Sequence, residues 1–229
     1  MKIGFTGIEL PEGKIKYNDE ILMALVEKDK PKKISPFFAE FVGGEFVQSE
    51  AIVVPRESIL DLLILDMEKL ETRLTRLIDE DEKVLLTTCL EKLEEEIPLC
   101  DVVFDAAEKA MITTLSPVSF KPVVQIDGDE DINTLIALAL EKANYVFFYT
   151  SGPDESHAWL VEKGSDIVTC AGKIHSDLAR GFIKGDVVAF EDYMSCHNFN
   201  ECKSKGVARL VGRDYIVQPG EIIEIRFNV

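Results

Sequence analysis

The chain has 229 residues and a formal net charge of −17, with 46% apolar and 29% charged residues. That balance belongs to a folded polypeptide able to bury one large core or two small ones. No run nears the ~18 apolar residues of a transmembrane helix, and Met1–Gly7 lacks a secretory apolar core, so a cytoplasmic protein without membrane contact is expected. Five cysteines, none in a CxxC pair, fit unbonded thiols in a reducing compartment. Residues 145–229 carry 12 acidic and 9 basic side chains, and the rest carries 30 and 16. Broad contact between the N-terminal two-thirds and a nucleic-acid backbone would therefore be repulsive.

In chain order, Lys2–Thr6 reads as a strand ending at Gly7. Asn18 reads as the N-cap of a helix with Ile21, Leu22, Leu25 and Val26 on its apolar face. Phe37–Val42 and Ala51–Val54 read as strands of a parallel α/β layer. Leucines and a methionine recur at helical spacing through Leu63, Met67, Leu70, Leu74 and Leu77, predicting a helix over residues 56–78. A second helix follows over residues 82–96 with Leu86, Leu90 and Leu93, and Asp79-Glu80-Asp81 lies between them. The pair reads as an antiparallel, coiled-coil-like hairpin whose stripe packs internally. Pro98 ends it. A short helix over residues 105–111, a buried strand over 122–126, an acidic loop at 127–131 and a helix over 133–142 complete this part.

From Tyr145 the pattern turns β-rich. Strands are expected at Tyr145–Thr150 and Ser156–Val161, joined by the turn residues Ser151-Gly152-Pro153-Asp154. A helix is expected over residues 176–182, and strands over 186–190, near 208–211 and over 214–217. A type II turn at Gln218-Pro219-Gly220-Glu221 precedes a last strand with Ile223, Ile225 and Phe227 on one face. Two strands, a helix and further strands are the order of a β-grasp sheet. A binding role, not chemistry, is expected of this unit.

Several ordered blocks then acquire a resemblance. Residues 171–177 (Ala-Gly-Lys-Ile-His-Ser-Asp), Gly181-Phe182-Ile183, Asp186-Val187-Val188, residues 214–220 and the final Arg226-Phe227-Asn228-Val229 resemble the C-terminal TGS domain of the YchF-type P-loop NTPases. The resemblance implies a preceding nucleotide-binding domain interrupted by a helical hairpin. Met1-Lys2-Ile3-Gly4, Pro31-Lys32-Lys33, the hairpin and Lys121-Pro122-Val123 repeat that layout more faintly. It implies α/β plus α+β architecture: a remnant nucleotide-binding-like domain at 1–55 and 98–144, the hairpin at 56–97, and a TGS-like β-grasp domain at 145–229.

The family's phosphate loop needs GxxxxGK[ST], in which backbone N–H groups cradle phosphate, lysine reaches it and a hydroxyl holds Mg²⁺. Here Gly7, Gly13 and Lys14 are the matching residues. They are separated by a five-residue spacer holding Glu9, Pro11 and Glu12, and Ile15 replaces the hydroxyl. After Glu40-Phe41-Val42, Gly43-Gly44 stands where the family has Asp-x-x-Gly, and Gly128 stands near the base-reading asparagine. The expectation is a degenerate P-loop, a pseudo-NTPase that is not an enzyme and needs no cofactor.

Other clusters have plainer readings. Asp127, Asp129 and Asp131 begin like a calcium loop, but Ile132 and Leu138 occupy its required Gly and Glu positions. Cys196, His197 and Cys202 fit no zinc spacing. Trp159 reads as core or half-exposed sheet surface. Ser176 or Asp177 is expected to cap a helix. In the TGS-like domain His175, Asp177, Arg180 and Lys184 are the candidate partner-binding residues. The function expected is a cytoplasmic binding or regulatory module associated with the translation machinery through protein, ribosomal partners, with direct nucleic-acid contact left open. Two alternatives stand: an ATP- or GTP-binding protein using Mg²⁺ at a remodelled site, and a small-molecule sensor.

Overall fold

The computed structural model describes residues 1–76 and 79–228; Leu77 of the leucine stripe, Ile78 at the end of the expected helix and Val229 of the final motif lie outside the described residues. In chain order come β1 (Lys2–Phe5), β2 (Gly13–Lys16), α1 (Glu20–Asp29), β3 (Lys33–Ser35), β4 (Phe38–Gly43) and β5 (Ala51–Pro55). Next are α2 (Ile59–Leu74), α3 (Glu80–Glu94), α4 (Ala106–Leu115), β6 (Val123–Ile126) and α5 (Ile132–Lys142). The remainder holds β7 (Tyr145–Thr150), β8 (Glu155–Glu162), α6 (Ile167–Ile174), α7 (Ser176–Arg180) and β9 (Phe182–Val188). It ends with α8 (Phe190–Ser195), α9 (Phe199–Ser204), β10 (Arg209–Val211) and β11 (Ile222–Phe227).

Two compact units result: Met1–Ile15 with Ala39–Ala143, and Lys16–Phe38 with Asn144–Val229. This division differs from the expected one at two places. Residues 16–38 join the second unit, and the hairpin belongs to the first unit's core.

In the first unit the strand order is β2-β4-β1-β5-β6. β1 pairs in parallel with β4 (Ile3↔Phe41) and β5 (Ile3↔Ala51), and β5 with β6 (Val53↔Val124). All five residues of β5 are buried, as a strand covered on both faces requires. Leu63 and Leu70 of α2 and Leu86 and Leu93 of α3 share one core with Ile52 and Val54 of β5, and Met67, Leu74 and Leu90 pack against it. The stripe is therefore spent on internal packing.

Three carboxylates fasten the unit's other elements. Asp66 of α2, fully buried, accepts from the N–H groups of Val118 and Ser119 at 2.6 and 2.7 Å, fixing the segment that leads into β6. Asp105 and Glu108 form a reciprocal capping box on α4.

In the second unit the order is β10-β9-β11-β7-β8-β3. β7 and β8 form an antiparallel hairpin, and β3 adds to β8 in parallel (Ile34↔Ser156). α1 is capped by Asp19, not Asn18: its Oδ1 accepts from Ile21 and Leu22 N–H at 3.0 and 3.1 Å. Leu22 and Leu25 of α1 share a core with Tyr149, Ala158, Val188, Tyr193 and Ile222. A second core lies between the sheet and α6, through Phe148, Val161, Ile167, Cys170, Val187 and Ile223.

Local differences from the sequence expectations have local causes. The expected strand over 186–190 runs from Phe182 to Val188, because β9 follows α7 at once. No strand forms over 214–217. That segment makes one bridge, Asp166↔Ile216, and Tyr215 O accepts from Ile167 N–H at 2.9 Å at the start of α6. α8 and α9, six residues each, carry too little periodicity to be read from sequence. Among the described residues no helix is long and apolar enough to cross a membrane.

Candidate functional site

The carboxyl ends of β1, β4, β5 and β6 meet at one edge of the first sheet, the place where parallel α/β sheets bind ligands. Gly7 leaves β1 there with φ +72°. A Cβ on it would lie 2.6 Å from Ser58 Cβ and 2.7 Å from Ser58 Oγ, so glycine is needed for close packing ahead of α2. Gly13 (φ +103°) turns the chain into β2. Lys14 stands exposed on that strand, and a Cβ on Gly43 would meet Glu12 Oε1 at 2.8 Å, which sets the start of β2 beside the end of β4.

These residues do not fit a magnesium-nucleotide cradle. Such a cradle needs a glycine loop that ends at a helix N-terminus, with a lysine and a hydroxyl aimed at phosphate. Here β1 is followed by a strand, Pro11 lacks an N–H, Ile15 lacks a hydroxyl, and Glu9 and Glu12 expose carboxylates.

Two further contacts brace the sheet, one before β6 and one at the carboxyl ends of β5 and β6. Lys121 Nζ donates to the carbonyls of Phe46, Val47 and Ser49, and burial holds its pKa below the ordinary lysine value. Ser49 Oγ would lie 2.8 Å from a Cβ on Gly4, so the pinned segment 45–49 packs directly on β1. Arg56, just after β5, pairs with Asp127, just after β6, at 3.0 Å. Lysine 121 was legible as a family motif; its carbonyl partners were not, since they lie more than 70 residues away.

Around the acidic loop, Glu130 accepts from Asp127 and Gly128 N–H, which hold its carboxyl below the usual range. Asp131 caps α5 through Asn133 and Thr134 N–H. Cys196 and Cys202 are buried core thiols, and burial pushes the Cys202 thiol up to about 11, with Cys196 beside it adding to the rise. Trp159 is half-buried on β8, stacked on His157 at 3.5 Å, with Nε1 donating to Thr150 Oγ1 at 3.0 Å.

Of the candidate partner-binding residues, three come together. His175, not Ser176 or Asp177, caps α7: its Nδ1 accepts from Asp177 N–H at 3.1 Å. Asp177 in turn pairs with Arg180 at 2.8 Å. All three are substantially exposed, with side-chain accessibilities of 63%, 42% and 70%. Lys184 stands separately on β9, exposed, opposite Arg226 of β11.

One feature of this unit was not read from sequence. Beside β11 runs a groove of about 410 Å³, lined by Ile223–Ile225 and Phe227, the tip of the β7–β8 hairpin, Ile174 and Leu178. The alternation of β11 showed which face is apolar, but not that its edge stays open.

Residues 145–228 match the family model YchF-GTPase_C, described as a protein of unknown function (DUF933). The ribosome-binding ATPase YchF of Bacillus subtilis is 27% identical over 237 residues, covering 74% of this chain and 65% of its own length. That of Haemophilus influenzae is 32% identical over 150 residues, covering 59% and 41%. Human Obg-like ATPase 1 is 44% identical over 82 residues, covering 36% and 21%. The chain thus spans less than two-thirds of the length of these curated relatives. The solved structure of the Schizosaccharomyces pombe YchF GTPase superposes with a TM-score of 0.79 over 99% of this chain and 97% of that one, at 16% identity, a likeness of fold. All these relatives are named as ATPases or GTPases, which overturns the expectation that the chain is not an enzyme. The ordered C-terminal blocks and the match that covers them agree: residues 145–228 are similar to the C-terminal domain of the YchF-type proteins, and the chain shares the fold of a YchF GTPase.

Proposed function

We propose that this chain associates with the ribosome through its second unit, a TGS-like β-grasp module, as a cytoplasmic protein. One observation carries the reading: the family match over residues 145–228 falls within the second unit, and the bacterial relatives are named for ribosome binding. A net charge of −17 favours contact with a ribosomal protein over broad contact with RNA. The exposed His175–Asp177–Arg180 cluster is one surface available for it. Co-sedimentation of the purified chain with ribosomes through a sucrose cushion tests this. Co-pelleting at physiological salt is expected, and a chain that stays in the supernatant ends the reading.

A second reading concerns nucleotide, and two observations favour it: the parallel first sheet and the relatives' ATPase names. The ligand would meet the carboxyl ends of β1, β4 and β5. Because Gly7–Lys14 does not fit a phosphate cradle, no step of hydrolysis is assigned to its residues. Calorimetry with ATP and GTP in the presence of Mg²⁺ tests this reading, and absence of heat removes it.

A further inference from the structure

β11 is an inner strand of the second sheet, yet it is paired unevenly. Its partnership with β9 runs from Ile222↔Val188 to Phe227↔Phe182. Its partnership with β7, among the described residues, consists of Ile222↔Tyr149 alone. The strands are parallel there and β7 ends at Thr150, so β11 runs on past the end of β7 with one edge open among the described residues.

The 410 Å³ groove lies along that open edge. Residues from both faces of β11 line it, Ile225 and Phe227 on one and Glu224 on the other, and among the described residues none of β9 does. A groove seen from both faces of a strand but not from its neighbour borders the unpaired backbone. Ile174 and Leu178 give it an apolar floor, and Phe227, 47% exposed, stands at its far end.

The rim charge selects the occupant. Asp154, Glu155 and Glu224 line the groove, and among the described residues no lysine or arginine does. Their cationic partners, Lys32, Lys33 and Lys203, approach from outside it at 2.8, 2.9 and 2.6 Å. Polyphosphate would meet three carboxylates there, whereas a lysine-bearing strand could replace those ion pairs with its own. An open edge supplies main-chain hydrogen bonds, and alternating side chains of an added strand would fall alternately on the apolar floor and the acidic rim.

We propose that the open edge of β11 binds an extended peptide in which basic and apolar residues alternate, added to the sheet as a strand. This rests on the reading of the second unit as the contact-making part of the chain, and specifies the kind of protein segment it takes.

The test uses the full chain and three fluorescein-labelled probes: a Lys–Val alternating decapeptide, a Glu–Val alternating decapeptide and a uridine decanucleotide. Anisotropy titration is expected to give a Kd on the order of tens of micromolar for the Lys–Val peptide and at least tenfold weaker binding of the other two. Phe227→Asp and Asp154→Lys, both at exposed positions, each weaken Lys–Val binding at least fivefold with an unchanged circular dichroism spectrum. Hydrogen exchange separates strand addition from loose charge attraction, because only the former slows amide exchange within Ile223–Phe227. Equal binding of the two peptides, indifference to both substitutions, unchanged exchange in β11 or tighter binding of the oligonucleotide overturns the proposal. A chain that binds the Lys–Val peptide but does not pellet with ribosomes overturns the ribosome reading and keeps the groove. Pelleting without peptide binding overturns the groove alone.

Discussion

The hydroxyl of Tyr149 donates to Oδ2 of Asp19 at 2.7 Å, joining β7 to the cap of α1 across 130 residues of chain. Asp19 is buried, and its other oxygen already accepts two backbone N–H groups, so both carboxylate oxygens are committed. Burial, then the charge of Asp19, holds the Tyr149 phenol far above its ordinary pKa, so it stays a donor. Tyr149→Phe removes that donor and leaves a buried carboxylate oxygen unpaired. A loss of roughly 1–3 kcal/mol is expected, read as a lower urea midpoint with helix content unchanged.

The same contact bears on where the second unit begins. A fragment of residues 145–229 lacks Leu22 and Leu25, which complete one of the unit's two cores, and lacks β3, which covers the edge of β8. Such a fragment is expected to bind a hydrophobic dye and to melt without a cooperative transition. A fragment joining residues 16–38 to it through a short flexible linker is expected to melt cooperatively. Calorimetry of the two fragments checks this.

In the first unit, Asp66→Ala would orphan the N–H groups of Val118, partly buried, and Ser119, fully buried. The expected cost is roughly 2–4 kcal/mol, since each lost partner leaves a desolvated donor. Asp66→Asn keeps one acceptor oxygen and should fall between the two. Denaturant unfolding of both variants measures the difference.

Acid sensitivity should centre on Asp186. Burial pushes its carboxyl up, but hydrogen bonds from Arg226 at 2.7 and 2.8 Å and the nearby Lys203 outweigh that and hold its pKa below the ordinary carboxylate value. A carboxyl depressed in the folded state contributes stability above its unfolded pKa, and that stability is lost as pH falls through the folded value. Asp186→Asn should therefore cost about 1–3 kcal/mol at pH 7 and progressively less as pH falls below about 4. Thermal melts between pH 2.5 and 7 test the convergence of the two curves.

Lys14 stands on a strand with no ion pair or side-chain hydrogen bond among the described residues. Lys14→Ala is expected to leave any ATP or GTP affinity within twofold of the parent chain. A tenfold loss by calorimetry would assign the lysine to phosphate.

Much of the architecture was legible because short-range rules produced it. The 3.6-residue recurrence of Leu63, Leu70, Leu86 and Leu93 placed both helices of the hairpin, but the stripe packs on Ile52 and Val54 of β5 as well as within the hairpin. The alternation at Ile223, Ile225 and Phe227 placed β11. Helix caps were legible only to within a residue. Asn18 and Asp19 can both accept a backbone N–H, and Asp19 takes the role because its second oxygen also meets Tyr149. Gly7, Gly13 and Lys14 matched a motif by type and order, yet the first packs on Ser58 and the last two enter β2.

By itself, then, the sequence determined the C-terminal family resemblance, the helical hairpin and the acidic surface, because residue order, spacing and charge suffice for those. Tertiary structure alone decided that residues 16–38 belong with the second unit, that Lys121 pins segment 45–49, and that β11 outruns β7 to leave an open edge. Each of these depends on the meeting of segments far apart in the chain, where burial and hydrogen-bond satisfaction select one arrangement among several that local pattern permits.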